Sequence, residues 1–75
     1  MAYSRGMFWT NVERFTADAI TASDDKLREM HSWAAQKEAD AMDTRLGVRA
    51  PKARRNFRRM RNAAERQLDQ RGLTW

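Results

Sequence analysis

The chain reads as an all-α protein, a short N-terminal helix packed on a long antiparallel helical hairpin. Three observations predict this. Only three Gly and one Pro occur in 75 residues, so turns are few and the elements between them must be long. Apolar residues recur at spacings of three and four in three segments, the period of an amphipathic helix. Cap residues and helix breakers fall at the borders of those segments. The predicted helices cover about residues 11–22, 24–46 and 51–71, within a single small domain spanning 1–75.

The first helix follows an apolar arm, residues 1–10, that carries Tyr3, Met7, Phe8 and Trp9. Thr10-Asn11-Val12-Glu13 fits a capping box, with Thr10 as the cap and Glu13 reaching back. Val12, Phe15, Ala19 and Ala22 then mark one face, with Ile20 beside them. The aromatic arm has two readings: padding for a thin core, or a hook that grips a partner.

Ser23 is the next cap, and Asp24 and Asp25 sit where the helix dipole favours acids. No Gly or Pro interrupts the chain until Gly47, which serves as the C-terminal cap. Leu27, Met30, Ala34 and Ala41 line one face of this second helix, flanked by Trp33 and Met42. Glu38 falls near the middle of that stripe. A lone acid on an apolar seam calls for an arginine across the interface.

Pro51 suits the first position of the third helix, and Gly72 its C-cap. Ala53, Phe57, Met60, Ala64 and Leu68 recur at spacings of 4, 3, 4 and 4, an arc of roughly 80° on a helical wheel. Arg55, Arg59, Asn62 and Arg66 lie opposite, with Arg54, Arg58 and Arg61 flanking. The turn between the long helices is short, so they should lie antiparallel. Reflection about that turn places Glu38 near Met60 and Arg61, and Ala34 near Ala64.

Composition excludes several functional classes. Without cysteine there are no disulfides and no thiolate-bound zinc. His31 is the single histidine and reads as a half-buried packing residue. No EF-hand spacing, Gly-rich phosphate loop or nucleophile elbow occurs. The expectation is therefore a protein that is not an enzyme and holds no metal or cofactor. No apolar run approaches the ~18 residues of a membrane span, and the first residues lack a secretory core. The expected location is intracellular (cytoplasmic), with virion association as a further expectation in this compact, arginine-rich, phage-like style of chain. A core this small supplies about 3–5 kcal/mol unaided, so a homo-oligomer or a hetero-complex is expected.

Charge is unevenly placed. Residues 1–47 carry 6 basic and 8 acidic side chains, whereas residues 48–75 carry 9 and 2. Arg outnumbers Lys 12 to 3, and arginine is the better residue for bidentate contacts to phosphate or carboxylate. Seven positive charges between Arg49 and Arg61, with no acid among them, would repel one another unless an acidic partner faces them. The candidate binding residues are Arg49, Lys52, Arg54, Arg55, Arg58, Arg59, Asn62 and Arg66. Tyr3, Phe8, Trp9, Trp33 and Trp75 are candidate protein contacts.

Two local resemblances bear on the partner. Arg45-Leu46-Gly47-Val48, followed by Ala53 and Phe57, is similar to the turn of helix-turn-helix proteins, which implies a recognition helix after it. It departs from that pattern at Asp43 and Asn56. Ala53-Arg54-Arg55-Asn56 with Arg58, Arg59 and Arg61 resembles the arginine-rich RNA-binding helices of viral regulators, which implies entry into an RNA groove.

The leading expectation is a small basic regulatory or accessory protein whose third helix contacts the phosphates of DNA or RNA. The alternative is a protein-interaction module, an inhibitor or assembly factor, whose basic helix and aromatic arm dock on an acidic protein. Membrane binding is disfavoured, because the apolar face of the third helix is needed inside the hairpin.

Overall fold

The computed structural model of the chain describes Trp9, residues 11–42 and residues 51–75. It is all-α, with α1 at Val12–Thr21, α2 at Asp24–Met42 and α3 at Pro51–Gln70. The predicted C-terminal turn of the second helix, Gly47 as its cap, and the Leu46-Gly47-Val48 turn lie outside the described residues.

Each border has a local cause. The cap of α1 is Asn11, one residue later than predicted: its backbone is extended, and its Oδ1 accepts from the Arg14 amide at 3.0 Å. Asn is the stronger N-cap of the two adjacent candidates, which accounts for the shift by one residue. Ser23 caps α2 as predicted, its Oγ accepting from the Lys26 amide at 3.2 Å. Pro51 opens α3, where its missing N–H leaves no intrahelical bond unmade. Gly72 ends it with φ +73°. The Leu73 amide donates to the Leu68 carbonyl at 2.9 Å, and the Gly72 amide to that of Asp69 at 3.0 Å. These two bonds form a Schellman motif, and Leu73 packs against the core beside Leu68, as that motif favours.

The register of α2 on α3 follows from the pairs between them. Glu38 meets Arg58 and Arg61, His31 meets Glu65, and Asp24 meets Arg71. Residue numbers fall along α2 as they rise along α3, so the helices run antiparallel side by side, as predicted. A helix-turn-helix would cross them steeply instead, so the fold implied by that resemblance is not the one adopted. α1 lies against α3.

The core joins Trp9, Phe15 and Ala19 to Leu27, Met30 and Ala34 of α2 and to Met60, Ala64 and Leu68 of α3. Val12, Ala22, Trp33 and Phe57 pack around it half-buried. Ile20, beside the apolar face of α1, is 57% exposed.

Two sequence expectations change here. Trp9, a candidate partner hook, is only 6% exposed. Its ring meets Phe15 and Trp33 edge-on, each at 5.1 Å, and its Nε1 donates to Asp18 at 2.8 Å. An indole buries its apolar body readily once its one donor finds a partner, and Asp18 provides that on α1. Tyr3 and Phe8 lie outside the described residues. Phe57, expected to be buried on the apolar face of the third helix, is half-buried with its ring edge-on to Trp33 at 5.8 Å. Phe57→Ala should therefore cost about 1.5–2.5 kcal/mol, half the ~3–5 of a fully buried phenylalanine. Arg59→Ala should stay within about 0.5 kcal/mol, because Arg59 is exposed. Thermal melts followed by circular dichroism check the order, and a larger loss for Arg59 would contradict it.

Candidate nucleic-acid interface

The arginines of α3 divide into two sets. One set is committed to the fold. Arg61 Nε donates to Glu38 Oε1 at 2.6 Å, and its Nη1 to Glu65 Oε2 at 2.9 Å. Arg58 Nε donates to the other oxygen of Glu38 at 3.3 Å. The same Glu65 oxygen accepts from His31 Nε2 at 3.0 Å, and since a carboxylate only accepts, that ring nitrogen carries the proton. The His31 ring in turn lies against Trp75, with centroids 5.6 Å apart. A continuous polar chain thus crosses the hairpin from Arg58 to His31. The Glu38 and His31 side chains are each only 12% exposed, which keeps these contacts partly screened from water.

Arg71 belongs to this set as well. Its Nη1 donates to Asp24 at 3.0 Å, while Nη2 reaches the carbonyls of Ala19 and Ile20 at 3.3 and 3.2 Å. Those carbonyls end α1 and have no intrahelical donor, so a cation there satisfies both the orphan oxygens and the helix dipole. One guanidinium therefore ties the end of α1 to the start of α2 and the end of α3.

The carboxylates of the network are shifted. Glu38 ionises below the usual carboxylate range, chiefly because Arg61 hydrogen-bonds it and with Arg58 adding to the effect, although burial opposes. Glu65 is lowered too, first by the hydrogen bond from His31 and then by Arg61. The Arg61 guanidinium is raised, mainly by Glu38. Carboxylates lowered in the folded state stabilise it fully above the unfolded pKa of about 4.3, and that contribution is lost as pH falls through their folded values. The melting temperature should therefore hold through neutral pH and drop below about pH 4.5. Glu38→Gln/Glu65→Gln should melt lower at neutral pH and show a flatter acid limb. An acid limb as steep as in the parent protein would contradict this assignment.

The second set faces water. Arg55, Arg59, Asn62 and Arg66 are exposed and fall within an arc of about 60° at about 100° per residue, with Lys52 at its edge. Lys52 to Arg66 spans about 21 Å of helix. Among the described residues none of Lys52, Arg54, Arg55, Arg59 and Arg66 forms an ion pair, whereas Arg58 shares Glu38 and is 54% exposed. Arg54 is also exposed but projects on the flank of Arg58, away from the stripe. Arg49 lies outside the described residues. The eight candidates thus resolve into a stripe, two flanking arginines and one residue without a described position.

Beside the stripe, on its other flank, α2 and α3 enclose a cleft of about 280 Å³. Trp33 and Phe57 wall it, Met60 and Trp9 line it, and Asn56 and Lys37 supply polar groups. Trp33 is backed by Phe15, with rings 21° apart and centroids at 6.1 Å. Sequence reasoning placed Trp33 among surface contacts and overlooked Lys37. The signal was available, because Lys37 lies one turn beyond Trp33 on the same side of α2. Trp75 is 57% exposed. Among the described residues no helix is long and apolar enough to cross a membrane. Comparison with known protein families, curated proteins and solved structures finds no match to this chain.

Proposed function

We propose that the protein binds nucleic acid through α3, in a regulatory or accessory role, with Lys52, Arg55, Arg59 and Arg66 contacting phosphates and Asn62 set among them. The partition of the arginines carries this reading. Arg58, Arg61 and Arg71 meet acids across the hairpin, and of the arginines of α3 without an ion pair among the described residues, Arg55, Arg59 and Arg66 share one exposed face while Arg54 lies on its flank. Amphipathicity alone accounts for polar residues on this face, and a row of phosphates accounts for most of them being cations. The stripe, about 21 Å long, reaches several phosphates of a duplex that carries one per ~1.7 Å.

Each phosphate neutralised on duplex DNA lowers the slope of log K against log salt by about 0.9, so four contacts give roughly −3.6. Fluorescence titration of labelled duplex DNA and hairpin RNA across a salt series measures that slope. Each single Arg→Ala change in the stripe should flatten it by about one unit. No binding to either probe at low salt would remove the reading.

The alternative, a protein-interaction module whose basic helix docks on an acidic surface, draws on the exposure of Trp75. That mode predicts a different response. Loss of one buried arginine would cost about 2–5 kcal/mol, mostly as faster dissociation, instead of a uniform change in salt slope.

A further inference from the structure

We infer that the cleft between α2 and α3 holds an unpaired base, which makes the target a single-stranded or looped nucleic acid instead of an uninterrupted duplex. The inference rests on the reading of the stripe as a phosphate contact. At about 280 Å³ the cleft lies just below the ~300–1,000 Å³ of sites for drug-sized ligands, a size suited to one flat ring system and too small for a peptide helix. Its lining is largely aromatic: Trp33 on α2 and Phe57 on α3 meet edge-on with centroids 5.8 Å apart, and Trp9 and Met60 line it with them. Aromatic walls accept the π-face of any base.

The polar groups match the rest of a nucleotide. The Asn56 side-chain amide both donates and accepts, as the edge of a base does, and the Lys37 ammonium suits its phosphate. An apolar side chain from a protein partner would use neither group.

Placement joins the cleft to the stripe. At about 100° per residue, Asn56 lies about 40° round α3 from Lys52 and about 60° from Arg59, between the stripe and Met60. A strand whose phosphates follow Lys52 and Arg59 can turn one base past Asn56 into the cleft. A paired, stacked base cannot make that turn without the cost of unstacking, a few kcal/mol.

The test uses the full chain carrying Trp75→Phe, which removes the exposed indole and leaves Trp9 and Trp33, both lining the cleft, as reporters. Three probes are titrated at one low salt concentration: an oligothymidylate single strand, the same strand with abasic positions, and a duplex of equal length. The single strand should quench tryptophan emission. The abasic strand, with the same phosphates, should bind about tenfold more weakly and without quenching, near the lower end of what one stacked base contributes. Asn56→Leu should reduce the preference for bases while leaving duplex affinity unchanged. Equal affinity for the two single strands, with no quenching, would overturn the base-holding cleft, while binding of all three probes at that salt concentration would leave the stripe standing. Absence of binding to all three probes would overturn the stripe reading itself.

Discussion

Replacing Phe15 with alanine should cost about 3–5 kcal/mol and leave the chain largely unfolded at ambient temperature. Phe15 is fully buried, meets Trp9 edge-on at 5.1 Å and stacks on Trp33 at 6.1 Å, so one ring holds the N-terminal segment to α2. Aromatic pairs add about 0.5–1.5 kcal/mol beyond the area they bury, and alanine loses both pairs along with the packing. A domain of this size has little more than that in reserve. Far-ultraviolet circular dichroism and tryptophan emission should both report the loss. A melting temperature within a few degrees of the parent would show that the aromatic cluster is not central to the fold.

The second large effect is expected at Arg61. Its guanidinium sits between Glu38 and Glu65, and Arg61→Ala leaves two poorly hydrated carboxylates with only Arg58 and His31 to meet them. Breaking a fully buried pair costs about 3–5 kcal/mol, and partial access to water here lowers the expectation to about 2–3 kcal/mol. The loss belongs to the network and not to one side chain, so Glu38→Gln and Arg61→Gln should be strongly non-additive. A double-mutant cycle should give a coupling of about 1–2 kcal/mol. Additive melting shifts would show that the two groups do not act together.

The legibility of this fold varied with the range of the interaction. α3 could be read because a 4, 3, 4, 4 spacing places Met60, Ala64 and Leu68 on one face whatever lies opposite. The Glu38–Arg61 pair could be read because a short turn fixes register by reflection. His31–Glu65 was within reach of that reflection, which brings Ala34 to Ala64 and so His31 to within about one turn of Glu65. Arg71 was not legible, because the end of α1 lies about 50 residues away and its placement is tertiary. The same limit applied to Trp9, whose burial depends on Trp33 and Asp18 meeting it from two different helices. Composition showed a basic segment, but the division of its arginines between fold and surface depends on the rotation of α3 against α2. That rotation sets which of them Glu38 can reach.

In the proposed division of labour the exposed stripe binds while Arg61 and Arg71 hold the fold, and one pair of variants tests it. Arg55→Gln/Arg59→Gln/Arg66→Gln should leave the melting temperature close to that of the parent while its salt slope on duplex DNA falls from roughly −3.6 to about −0.9, the remainder belonging to Lys52. Arg71→Gln should lower the melting temperature yet keep the parent slope at temperatures where it remains folded. A triple variant that stays folded and binds with undiminished slope would contradict the account.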